Sequence, residues 1–150
     1  MSTNILGLGI HIKVKNFAKS LAFYKTLGFK QVFAYGPQQK VKEDYDGVVF
    51  AHGGTKLEIA SGHRAVKPKV FQQLLSSSKI PLMIQVPSLK PLLTHCRKAN
   101  IPLAVGPRHY YWGTLEAVIK DPDGVVLIFI APYSASQAKI LHADETWSTK

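Results

Sequence analysis

The sequence predicts an α+β protein built from two tandem copies of one βαβββ unit, and three observations lead there. Leu8, Ile10, Ile12 and Val14 alternate with Gly9, His11 and Lys13, which is the period of a half-buried strand. Phe17, Leu21, Tyr24 and Leu27 then recur at helical spacing, with Asn16 placed as N-cap and Gly28 placed to end the helix in the left-handed conformation. The same pattern returns 72 positions later. Ile10, Ile12 and Val14 become Leu82, Ile84 and Val86; Asn16 becomes Ser88; Phe17, Leu21 and Tyr24 become Leu89, Leu93 and Cys96; Gly28 becomes Asn100. Two different residues that both tolerate a left-handed backbone, at one register, argue for a repeat more strongly than shared hydrophobicity does.

Each element follows in turn. The first helix is expected over Asn16–Leu27, and Lys30–Gly36 reads as a strand stopped by Gly36-Pro37. Gln38–Tyr45 is polar and reads as an exposed loop bordering a ligand cavity. Gly47–His52 is a short buried strand, Gly53-Gly54 a hairpin turn, and Thr55–Ala60 the fourth strand. On that strand Leu57 and Ile59 share one face and Lys56 and Glu58 the other. Module one thus spans about residues 5–62. A connector, 63–79, holds one helix around Val70–Leu75. Module two spans 80–132. Its helix has Pro91 in the first turn, where a missing N–H costs little, and ends near Asn100. Ile101–Pro107 is read as the next strand and Arg108–Gly113 as an aromatic, basic loop. Thr114–Lys120, the turn Asp121–Gly124 and Val125–Pro132 form the closing hairpin, with Asp side chains placed to bond backbone amides. The tail, 133–150, holds a helical turn around Gln137–His142 and is assigned a peripheral or assembly role.

Composition bounds the rest. At 150 residues and 46% hydrophobic content the chain reads as one domain whose two modules share their burial. It contains no apolar run of membrane-spanning length and no visible secretory signal, so a cytoplasmic protein without a membrane partner is expected. The single cysteine, Cys96, lies on the apolar side of a helix and reads as a buried structural thiol. The net charge of +10 is spread along the chain without a nucleic-acid-binding motif, so no nucleic-acid partner is expected.

Ser20–Phe29 (SLAFYKTLGF), Lys56–Ile59 (KLEI) and Tyr111–Gly124 (YWGTLEAVIKDPDG) together resemble the vicinal oxygen chelate superfamily, the glyoxalase, bleomycin-resistance and extradiol dioxygenase family. With the second strand–helix copy the resemblance covers about residues 5–132. It implies the glyoxalase/bleomycin-resistance fold: two βαβββ modules forming a cup-shaped mixed β-sheet around a ligand cavity, commonly as a homodimer. Enzymes of this family place a divalent metal in the cup. The matching positions here are Gly9, Glu58, Pro81 and Ile128, and only Glu58 carries a donor. His11 falls two residues past the first of these and would need to shift along the strand to join Glu58.

The function this implies is that of a metal-free, cofactor-free small-molecule binding protein of the bleomycin-resistance type. The candidate ligand-binding residues are His11, Lys13, Lys56 and Glu58 from module one, and Met83, Gln85, Arg108, Tyr111 and Trp112 from module two. The aromatic–cationic cluster suits stacking of a planar ligand, and equally suits a subunit interface. A chain of charge +10 repels a cationic glycopeptide, so a neutral or anionic planar compound fits better than bleomycin. The alternative is a divergent metal-dependent lyase, thiol transferase or dioxygenase; a third class is a regulatory interaction module using the tail. No catalytic residue is assigned.

Overall fold

The computed structural model describes residues 4, 9–62 and 74–145. Leu8, the start of module one, and positions 70–73 of the expected connector helix lie outside the described residues. The chain divides into two compact units, residues 1–74 and 75–150. The first runs β1 (Gly9–Lys13), α1 (Phe17–Thr26), β2 (Gln31–Tyr35), β3 (Gly47–His52), β4 (Thr55–Ala60). The second runs β5 (Leu82–Gln85), α2 (Lys90–Lys98), β6 (Val105–Tyr110), β7 (Thr114–Lys120), β8 (Val126–Pro132), then α3 (Ala135–Ile140) and β9 (Asp144–Glu145). Both units carry the βαβββ order that the repeat predicts. Their strands form two mixed sheets, one in each unit, ordered β1-β4-β3-β2 and β5-β8-β7-β6-β9.

The 72-residue echo reaches the hydrogen bonds. Asn16 caps α1, its Oδ1 accepting from the Lys19 amide at 2.9 Å. At the far end Gly28 has φ +96°, the Phe29 amide donates to the Tyr24 carbonyl at 3.1 Å, and the Gly28 amide donates to Lys25 at 3.0 Å. In α2 the Asn100 φ is 54°, Ile101 donates to Cys96 at 2.8 Å and Asn100 to Arg97 at 3.4 Å. This is one helix-ending motif used twice, with Asn in place of Gly the second time.

The start of α2 departs from the expected Ser88 cap. Leu89 occupies the N-cap position, and Ser88 Oγ accepts from the Lys90 amide at 3.2 Å. Pro91 restricts this end of the helix: of the two amides a cap at Ser88 could bond, the one three residues on is missing, which leaves only that of Lys90. Ser88 Oγ also donates to Gln137 Oε1 of α3 at 3.1 Å.

In the first unit one sheet face is closed by α1. Val14, Val48, Phe50, Leu57 and Ile59 are buried there around Tyr24, which is fully buried. The Tyr24 ring meets Phe23, Phe29 and Phe50 with centroids 5.2–5.9 Å apart. In the second unit the N-cap Leu89 and Leu92 and Cys96 of α2 are buried along with Leu115, Ala117, Ile119, Leu127 and Phe129. The closing turn also forms as expected, Asp121 Oδ1 accepting from the Asp123 and Val125 amides at 2.8 Å each.

Two further expectations change. Arg108, His109 and Tyr110 are strand residues, and the loop between β6 and β7 is only Tyr111–Gly113. Pro107 is tolerated in β6 because the ladder is irregular between Val105 and Arg108, where a missing amide costs no regular bond. The tail also adds a strand: β9 pairs in parallel with β6, Arg108 opposite Asp144 and His109 opposite Glu145. Among the described residues no helix is long and apolar enough to cross a membrane.

Candidate functional site

The face of the first sheet opposite α1 carries every polar candidate of module one. Parallel pairing of β1 with β4 sets Gly9 opposite Lys56, His11 opposite Glu58 and Lys13 opposite Ala60. The ladder continues across β3 and β2, so His11, Glu58, Val49 and Phe33 form one rung. His11 therefore needs no shift along its strand to reach Glu58. Its Nδ1 lies 3.6 Å from Glu58 Oε1, an ion-pair distance when the imidazole is protonated.

Tyr35, absent from the sequence candidates, completes the group. Its hydroxyl donates to Glu58 Oε1 at 2.5 Å, a short charge-assisted bond. Burial and then this bond push the phenol well above its ordinary range, so Tyr35 stays a donor at every physiological pH. The reach is made possible by Gly47, the cross-strand partner of Tyr35. A Cβ on Gly47 would lie 2.0 Å from Tyr35 Cζ and 2.2 Å from its Oη, so the ring lies directly over the glycine. Only the pairing register reveals this, since Tyr35 and Glu58 sit 23 positions apart on strands that are not adjacent.

His11 and Glu58, though not Tyr35, line a concavity of about 420 Å³ together with Lys56, Val32, Phe33 and Val49. Its size falls in the range of small-molecule sites, and it combines a few polar groups with apolar wall. Val32 and Phe33 remain 59% and 45% exposed, more than solvation favours for an edge strand. Lys13 has the same strand parity as His11 but does not line the concavity. Nor does the Gln38–Tyr45 loop.

Met83, Gln85 and Arg108 share one face of the second sheet, and Tyr111 and Trp112 lie in the loop between β6 and β7. Gln85, Ile130, Glu116, Arg108 and Asp144 form a rung across its five strands, and Met83 lies two rungs away opposite Ile128. Glu116 organises this region. Its Oε1 accepts from Trp112 Nε1 at 3.0 Å and from Thr114 Oγ1 at 2.7 Å. Trp112 also stacks on Tyr110, centroids 4.5 Å apart, and meets Tyr111 edge-on. Arg108 Nη2 lies 3.7 Å from Asp144 Oδ2, and His109 Nδ1 lies 2.8 Å from Glu145 Oε2 with its ring stacked on Tyr133. Arg108 and Trp112 are therefore held by acids of their own unit, whereas Tyr111 is 76% exposed.

The donor set does not suit a divalent ion. Gly9 has no side chain, Pro81 and Ile128 have no donor atom, and Glu58 Oε1 already accepts from Tyr35. Among the described residues no three His, Cys, Asp or Glu side chains converge. His11 and Glu58 alone are a poor fit to an ion that takes three or four protein donors.

A family model described as the Glyoxalase/Bleomycin resistance protein/Dioxygenase superfamily matches residues 9–129. No curated protein sequence matches the chain significantly. Among solved structures it is similar to a mutant of the genomically encoded fosfomycin resistance protein FosX from Listeria monocytogenes complexed with Mn(II) and 1S,2S-dihydroxypropylphosphonic acid. That match has 15% identity, covers 89% of this chain and 97% of that one, and has a TM-score of 0.67. It is also similar to a hypothetical protein from S. aureus, at 22% identity, 86% and 95% coverage and a TM-score of 0.63. The bleomycin-binding protein complexed with bleomycin matches at 22% identity, 85% and 98% coverage and a TM-score of 0.54. At these identities the structural likenesses carry the fold alone.

Proposed function

Because the chain belongs to the glyoxalase/bleomycin resistance protein/dioxygenase superfamily, we propose that it binds a planar, neutral or anionic small molecule on the open face of the first sheet, without a resident metal. The observation that carries this reading is the half-buried His11–Glu58–Tyr35 group set into apolar wall beside Phe33. Phe33 supplies a ring face for stacking. Glu58, its orientation fixed by Tyr35, accepts a hydrogen bond from a ligand hydroxyl or amide. Lys56 at the rim favours an acidic over a basic compound. Sequestration needs no activated water or nucleophile. The net charge of +10 argues against a cationic glycopeptide such as bleomycin as the ligand.

Calorimetric titration with 2-naphthol, a planar neutral probe with one hydroxyl, tests this reading. Saturable binding is expected, weakened by about tenfold in Phe33→Ala through loss of the stacking surface. Binding that is indifferent to Phe33→Ala and to Glu58→Gln would remove the site from this face.

A further inference from the structure

We propose that the groove between α2 and α3 of the second unit is a separate binding site for an amphiphilic monoanion, a carboxylate carrying a flexible apolar chain. The groove encloses about 560 Å³ and is distinct from the face proposed above, with which it shares no residue. Its apolar wall comes from Leu93 and Ile101 on the α2 side and from Ile140 on α3. Ile140 is 64% exposed there, a cost in water that an apolar chain in the groove removes.

The rim supplies the charge argument. Lys90, Arg97 and His142 all line the groove, and no acidic side chain does. Arg97 and Lys90 stand seven positions apart on α2, two turns along one helix face. Among the described residues neither they nor His142 forms an ion pair. Two basic side chains beside apolar surface, with no acid lining the groove, favour an anionic over a cationic or neutral occupant.

His142 adds an independent observation. It follows α3 at φ 51°, with its amide donating to Lys139 at 3.2 Å and the Ala143 amide donating to Ala138 at 2.9 Å. This is the same helix-ending position that Gly28 and Asn100 occupy, a left-handed backbone that few residue types, histidine among them, populate. The His142 imidazole is among the groups that line the groove, where its ring N–H can donate to a bound carboxylate. The two walls are fixed to each other by the Ser88–Gln137 hydrogen bond, so the groove is formed before any ligand arrives.

Titration of the full chain with decanoate, and separately with decanol, tests the proposal. Decanoate is expected to bind with saturation and decanol at least about tenfold more weakly, with Arg97→Glu weakening decanoate by about tenfold. His142→Gly is the sharper variant. Glycine takes the left-handed backbone without strain, so thermal stability should hold or rise while decanoate affinity falls. A merely structural His142 would not separate the two. Failure of decanoate to bind, equal binding of decanol, or affinity unchanged in both variants overturns the site. Binding of 2-naphthol to the first unit is read independently, so either proposal can fail alone.

Discussion

Replacing Tyr24 by alanine is expected to cost the first unit about 3–5 kcal/mol, the range for removing a fully buried aromatic side chain. Tyr24 is fully buried, and its ring touches Phe23, Phe29 and Phe50. Its removal takes away edge-to-face contacts along with the buried area, and rings on different elements cannot all collapse into the space. Tyr24 also supplies the carbonyl that receives the Phe29 amide at the end of α1. That bond is made by the backbone and survives in the variant, so the loss is one of packing. Urea denaturation monitored by circular dichroism reads the change, with Tyr111→Ala as the exposed control at no more than about 0.5 kcal/mol. A cost below about 1 kcal/mol for Tyr24→Ala would mean that the first unit does not draw its stability from this cluster.

Gly47→Ala is expected to disable the site while leaving the fold intact. The added methyl would meet Tyr35 ring atoms at 2.0–2.4 Å, so the ring must leave its place over β3 and give up Glu58. Overpacking of this kind costs about 1–3 kcal/mol. Two other readouts distinguish it from general damage. Ultraviolet titration should show Tyr35 ionising back toward the ordinary phenol range, because burial and the Glu58 bond that raise it are both lost. The sign follows from linkage. A phenol raised in the folded state contributes stability that is complete below its unfolded value and is lost as pH rises through the folded one. The parent should therefore lose this contribution only in strongly alkaline solution, and Gly47→Ala should lack it throughout. Affinity for 2-naphthol should fall by about tenfold or more as Glu58 loses its orientation. Tyr35→Phe removes the hydroxyl alone and should reproduce the binding loss without the steric cost. Unchanged affinity in both variants would dissociate Tyr35 from the site.

Periodicity and punctuation made most of the fold legible. Gly47–His52, Thr55–Ala60 and Thr114–Lys120 were bounded by turn residues on both sides, and the strands end where those residues stand. Asn100 identified the end of α2 because few side chains tolerate its backbone. Pro91 was visible, but its effect on the cap depended on which amide Ser88 would need, a matter of three-dimensional geometry. Arg108–Tyr110 looked like loop because proline and glycine precede it, and the strand survives through a ladder irregularity that carries no sequence signature of its own. The site was legible in its residue types and faces and not in its pairings. Alternation placed His11 and Glu58 on one sheet face, whereas their direct opposition depends on the register between strands more than 40 residues apart. Tyr35 and Gly47 were missed for the same reason: each is ordinary alone, and their meaning lies in being cross-strand partners.

Equilibrium dialysis against 2-naphthol together with micromolar Mn(II) and Zn(II), followed by assay of organic probe and metal per chain, tests metal-free binding most directly. Near-stoichiometric naphthol is expected, lost in Phe33→Ala, with the metal retained by the parent no greater than that retained by Glu58→Ala. Stoichiometric metal that disappears in Glu58→Ala or His11→Ala would contradict the reading and favour a metal-dependent enzyme. Absence of retained naphthol in the parent would contradict it as well.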